Sequence, residues 1–170
     1  MDFQTFWAIL TNAAGNIIAA AVIGMVAAIG GVLLGRRHAQ IAFVERCASP
    51  VEEYLKASLR YQEEVGAFAS IWGPDVPLDF ELDRRLTKAA NDGILSHHLG
   101  ALGTEARHAA NLADPKLLRL VEESEAESVR IMQTCNWTLP GQSVAPILAQ
   151  IRKAQESNRR VAARLRSLRR

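Results

Sequence analysis

The sequence predicts an all-α protein, in which one N-terminal helix able to cross a membrane is followed by a cytoplasmic bundle of about five helices. Three observations carry that prediction. From Phe3 to Gly35 thirty-three residues include no charged side chain, and the pair Arg36 and Arg37 closes the run. Beyond it, apolar residues recur at three- and four-residue spacing between breaks rich in Pro, Gly, Asn and Asp. No window shows sustained alternation of β-branched residues, so no strand is expected.

A helix needs about 20 mostly apolar residues to cross the ~30 Å hydrocarbon core, and it satisfies its own backbone polar groups there. Residues 1–12, with Phe3, Phe6 and Trp7, form an interfacial entry, and residues 13–35 form the span. The only charge before the run is Asp2, so it lacks the basic start of a secretory signal peptide. The C-terminal flank holds Arg36, Arg37 and Arg46, against no Lys or Arg on the other side. This asymmetry places the N-terminus outside and the remainder in the cytoplasm, as a single-pass protein of the inner (cell) membrane.

At 100° per residue Ala13, Asn16, Ala20, Gly24, Ala27 and Gly31 share one face of the span. Ile18, Val22, Met25, Ile29, Val32 and Leu33 cover the opposite face. Small residues let helix backbones approach closely, and in lipid such packing drives association. The small-residue face is therefore read as a helix-packing seam for self-association or for another membrane protein. Richness in Gly and Ala is also ordinary in transmembrane helices, and the two-sided pattern favours the seam.

Nothing breaks the helix before Ser49-Pro50, so residues 36–48 are expected to extend it beyond the membrane. Residues 49–142 form the bundle and residues 143–170 a basic amphipathic helix. Ser49-Pro50-Val51-Glu52 reads as a capping box that opens a helix at Pro50, running to about Trp72. A second opens near Leu78 or Asp79 and ends at about Ala90, before Asn91-Asp92-Gly93. A third covers Ile94 to Ala113. Asp114 caps a fourth, with Pro115 in its first turn, that reaches about Cys135. Ser143 caps the last. Cys47 and Cys135 have no CxxC spacing and are read as small apolar residues.

One constellation hints at chemistry. Glu105 and His108 give a Glu-x-x-His unit, and His98 lies nearby on the third helix. Di-metal bundles need two such units and two further glutamates, and this chain has one. Each of the three residues falls one position before the apolar stripe Leu95, Leu99, Leu102, Ala106, Ala109 and Ala113. Residues at such an edge are ordinarily half-buried polar groups paired with neighbours. Glu125 and Ser128 interrupt the apolar face of the fourth helix, and Glu125 there calls for a partner among His98, His108 or an arginine. His98, Glu105, His108 and Glu125 are thus candidates for a metal site, with a structural lock between Glu125 and its partner as the better reading. The rest of Glu122-Glu123-Ser124-Glu125-Ala126-Glu127 reads as a solvated acidic face.

The last helix places Val144, Ile147, Leu148, Ile151, Ala154, Val161, Ala162, Leu165 and Leu168 on one side. Arg152, Lys153, Arg159, Arg160, Arg164 and Arg170 gather on the other. Residues 151–170 carry eight Lys or Arg against one Glu, a net +7, while residues 36–150 carry twelve against sixteen, a net −4. Anionic inner-leaflet lipid suits this basic surface. Packing in the bundle with the arginines facing water suits it equally. No aromatic residue interleaves the arginines to stack bases, so nucleic acid is not expected.

The sequence contains no GxxxxGK[ST], no GxSxG and no HExxH. No enzyme activity and no cofactor are expected. The residues point to a membrane-anchored adaptor, scaffold or assembly subunit. A ring of spans closing a pore is a second reading, weakened by the absence of a charged residue to line it. A metal-dependent bundle enzyme is the third.

Overall fold

The computed structural model describes the backbone of residues 3–71, 73 and 77–169, and the side chains among these from residue 24 onward, residue 26 excepted. Among the described residues the chain forms five helices and no strand: α1 (Phe3–Ser70), α2 (Phe80–Ser96), α3 (Leu99–Ala113), α4 (Pro115–Trp137) and α5 (Ala145–Leu168). It divides into two compact units, Met1–Ala42 and Phe43–Arg170.

In the first unit the backbone is helical from Phe3. Among the described residues no helix is long and apolar enough to cross a membrane. The expected span, residues 13–35, falls in part on side chains outside the described residues, as do the interfacial segment 1–12 and the seam residues Ala13, Asn16 and Ala20. Gly24, Ala27 and Gly31 are described, and all three are exposed. A Cβ built at Gly24 or Gly31 would meet nothing within 4 Å.

The second unit is a helical bundle, and three of its helix boundaries depart from the sequence expectation. No helix begins at Pro50, because α1 runs straight through it. Proline inside a helix forfeits one backbone hydrogen bond and costs ~3 kcal/mol or more. Around it Cys47, Ala48, Val51 and Tyr54 are all buried, and burying side chains such as Val and Tyr contributes about 1.5–3 kcal/mol each. Tertiary burial outweighs the local break.

Likewise α2 does not stop at Asn91-Asp92-Gly93. Asp79 opens the helix as expected, its Oδ1 accepting from the Leu82 N–H at 2.7 Å. Asn91 then donates from Nδ2 to the Thr87 carbonyl at 2.9 Å and to Asn136 Oδ1 at 3.2 Å. Gly93 is helical and buried against Tyr61, where a Cβ would lie 2.7 Å from ring Cδ2. The glycine serves close packing of two helices, and the turn falls later. His98 makes it, in the left-handed region at φ 51°, and α3 starts at Leu99 instead of Ile94.

Helix α4 follows its expected signals, with Asp114 Oδ2 accepting from the Leu117 N–H at 2.9 Å. Ser143 Oγ accepts from the Ala145 N–H at 3.0 Å ahead of α5. The loops are tied by Leu78 N–H to the Gln142 carbonyl at 2.9 Å and Gly141 N–H to the Leu78 carbonyl at 2.7 Å. Gly141 has φ 89°, a conformation that favours glycine. The pairs Tyr54–Ser124 and Ser58–Ser128 make α1 and α4 parallel, and Asp114–Arg164 with Glu127–Gln150 makes α5 antiparallel to α4. Val51, Tyr54, Tyr61, Leu86, Leu117, Val121, Ile131, Ile147 and Val161 lie fully buried in the core.

Candidate functional site

The four metal candidates do not converge. His98 is exposed at the α2–α3 turn, Glu105 and His108 are exposed on α3, and Glu125 is half-buried on α4. Among the described residues no group of three or more His, Cys, Asp or Glu is arranged to hold a metal ion. Glu125 finds an arginine: Arg107 Nε lies 3.2 Å from Glu125 Oε2, with the Glu125 side chain 25% exposed. That N–H makes no directed hydrogen bond, so the contact is an ion pair in character. Gly103 makes room for it, since a Cβ there would lie 2.9 Å from Glu125 Oε1.

Glu105 and His108 line instead a groove of about 570 Å³ between α1 and α3. Buried Cys47 and Ala109 form its base, with Pro50 beside them, and exposed Phe43 and Leu112 border it. Thr104, Arg46, Glu105 and His108 complete the lining, and none of Arg46, Glu105 and His108 has an ion-pair partner among the described residues. Burial pushes the Cys47 thiol up from its ordinary 9.0, so at neutral pH it is protonated and a poor nucleophile. The lining suits binding of an apolar surface bordered by both signs of charge, more than bond-making chemistry.

Sequence reasoning missed a buried polar layer where α1, α4 and α5 meet. Tyr54, Ser58 and Gln62 stand one helical turn apart on α1, facing Ser124 and Ser128 of α4 and Asn158 of α5. The hydrogens of this layer order themselves. Ser128 Oγ donates to the Ser124 carbonyl at 3.1 Å, so its contact with Ser58 Oγ at 3.1 Å requires Ser58 to donate. Ser58 Oγ in turn accepts from Gln62 Nε2 at 2.9 Å and from Asn158 Nδ2 at 3.0 Å. Ser124 Oγ donates to Asn158 Oδ1 at 2.5 Å and is left to accept from the Tyr54 hydroxyl at 3.1 Å. Every hydroxyl donates once. Gln62 Oε1, Tyr61 Oη and Ser157 Oγ are also buried and make no hydrogen bond to the described groups.

The run 122–127 is accordingly not a uniform solvated face. Ser124 is fully buried, and Glu127 is held by Arg130 and by Gln150 Nε2, which donates to its Oε2 at 2.5 Å. Three acidic neighbours in the sequence conceal one inward position. Ser128 was visible as a break in an apolar stripe; Ser58, Gln62 and Asn158 were not singled out, though Ser157-Asn158 does interrupt the stripe between Ala154 and Val161. Burial raises the Tyr54 and Tyr61 hydroxyls and pushes Cys135 up to about 12.

The apolar face of α5 is packed in the bundle: Val144, Ile147, Ile151, Ala154, Val161 and Leu165 are all buried. Its basic face meets acidic neighbours. Arg160 reaches Glu123 at 3.3 Å, Arg164 reaches Asp114 at 2.8 Å, and Arg159 reaches Glu156 at 3.5 Å. Arg169, outside the expected set, joins Glu45 at 3.0 Å and Glu52 at 2.6 Å. Arg152 and Lys153 are exposed with no ion pair among the described residues, and Arg170 lies outside them. The Arg164 guanidinium holds the Asp114 carboxyl below its ordinary 3.8. No known family, curated protein or solved structure matches the chain.

Proposed function

We propose that this chain is a membrane-anchored helical interaction protein, an adaptor, scaffold or assembly subunit without catalytic activity. In this reading residues 13–35 cross the inner membrane with the N-terminus outside, the seam through Gly24 and Gly31 packs against another span, and the bundle meets partners in the cytoplasm. The observation that carries it is the uncharged run Phe3–Gly35, followed by Arg36 and Arg37, within the helix α1. A helix without charge over that length is suited to hydrocarbon, and the basic pair to the cytoplasmic flank. The bundle supports an interaction role because its groove holds an apolar lining and unpaired charges, with a protonated thiol as its one sulfur.

The test is extraction and crosslinking in native membranes. Resistance to alkaline carbonate, together with protease cleavage of the bundle only from the cytoplasmic side, is the expected result. Release into the carbonate supernatant would overturn the anchor. Crosslinking followed by affinity purification and mass spectrometry then names the partner. Loss of the crosslinks in Gly24→Leu with Gly31→Leu is expected if the span's small-residue face makes the contact.

A further inference from the structure

We infer that the groove between α1 and α3 is a self-association surface, in which Arg46 of one copy pairs with Glu105 of a second across a two-fold axis. The inference deepens the interaction reading and rests on it. The groove is apolar at its base, and Phe43 and Leu112 beside it are 45% and 54% exposed. Its two full charges are of opposite sign, and neither Arg46 nor Glu105 is paired among the described residues, whereas Arg159, Arg160 and Arg164 of α5 each meet a carboxylate. A lining that presents one cation and one anion is its own electrostatic complement. Rotation by two-fold symmetry sets each against the other copy's opposite charge, twice per dimer.

A partner of uniform charge would satisfy one of these groups and leave the other facing like charge. A purely anionic lipid headgroup carries a phosphate for Arg46 but sets that phosphate beside Glu105. Anchoring adds a constraint in the same direction. Copies held in one membrane share one orientation, so equivalent patches can meet about an axis along the membrane normal. Phe43 and Leu112 then fill the facing grooves, removing apolar surface from water.

The experiment uses full-length chains carrying donor or acceptor dyes, reconstituted in neutral phosphatidylcholine vesicles, with energy transfer as the readout. Wild-type chains are expected to associate. Arg46→Glu alone and Glu105→Arg alone each place like charges across the axis twice, and each is expected to weaken association at least about fivefold. Mixing the two single variants restores both opposite-charge pairs and is expected to restore transfer toward the wild-type level. A lipid or an unrelated protein as occupant predicts no such rescue. Transfer equal in wild type and both variants, or absent in the wild type, would overturn the inference. Vesicle partitioning is measured in the same samples, and a chain that fails to partition sinks the anchor reading alone. The charge-swap series in solution then still reads the groove.

Discussion

Asn158 is the side chain on which three helices converge, because its amide accepts from Ser124 of α4 and donates to Ser58 of α1. Removing it leaves the buried Ser124 hydroxyl without its acceptor and takes from Ser58 one of its two donors, a lost buried partner costing about 1–3 kcal/mol. Asn158→Ala is therefore expected to lower stability by about 2–4 kcal/mol, read from urea unfolding with an unchanged slope. Gly93 presents a contest of two effects. Alanine gains up to ~1 kcal/mol of helix propensity, yet its Cβ would lie 2.7 Å from the Tyr61 ring, and overpacking costs about 1–3 kcal/mol. Gly93→Ala is expected to destabilise on balance, whereas Gly100→Ala, with nothing within 4 Å, is expected to be neutral or stabilising. Thermal melts of the pair decide it. At this scale the sequence revealed that Glu125 needed a partner, since a carboxylate breaking an apolar stripe is visible in one dimension. It could not reveal Ser58 and Gln62 as inward residues, because polar groups four apart on a helix look the same whether they face water or one another.

Helices as elements were legible wherever a boundary had local chemistry, and illegible where burial decided it. Asp79, Asp114 and Pro115 acted as caps and first-turn residues because nothing opposed them. Pro50 and Asn91-Asp92-Gly93 were overruled by neighbours that a sequence does not display. The proline inside α1 leaves one backbone hydrogen bond unmade, and its cost can be measured. Pro50→Ala restores a backbone N–H for the Arg46 carbonyl, offset by ~1 kcal/mol of added unfolded-state freedom, so a gain of about 1–2 kcal/mol is expected in chemical denaturation. The joint between α4 and α5 has its own signature. Asp114 has a folded-state pKa held below 3.8 by Arg164, so its contribution is fully present above 3.8 and is lost as pH falls through the lower folded value. Asp114→Asn keeps a helix-capping oxygen but removes the charge. It is expected to cost up to ~1 kcal/mol at pH 7, and the gap to wild type should narrow on acidification below 3.8. A gap constant from pH 7 to pH 2 would show that the ion pair contributes nothing.

For the whole molecule, the charge contrast between the acidic body and the basic C-terminal segment is internal as much as external. Glu123 of α4 and its cap Asp114 receive Arg160 and Arg164 of α5, Glu45 and Glu52 of α1 receive Arg169 just beyond α5, and the helix that composition alone presents as a basic tail is a wall of the core. Two consequences separate a tail from a wall. Ile147, Ile151, Val161 and Leu165 are 0–5% exposed, and four such side chains contribute together ~6–12 kcal/mol of burial. That sum is comparable with the whole stability of an ordinary domain, about 5–15 kcal/mol, and Asn158 would leave with them. A chain ending at Val144 is therefore expected to lose cooperative unfolding, seen as a broad, non-sigmoidal melt by circular dichroism. Arg152→Gln with Lys153→Gln removes two exposed charges that make no ion pair among the described residues, and is expected to change stability by less than ~0.5 kcal/mol. If truncation instead left a sharp transition, the remaining helices would hold a core of their own, and α5 would be free to serve an outside partner.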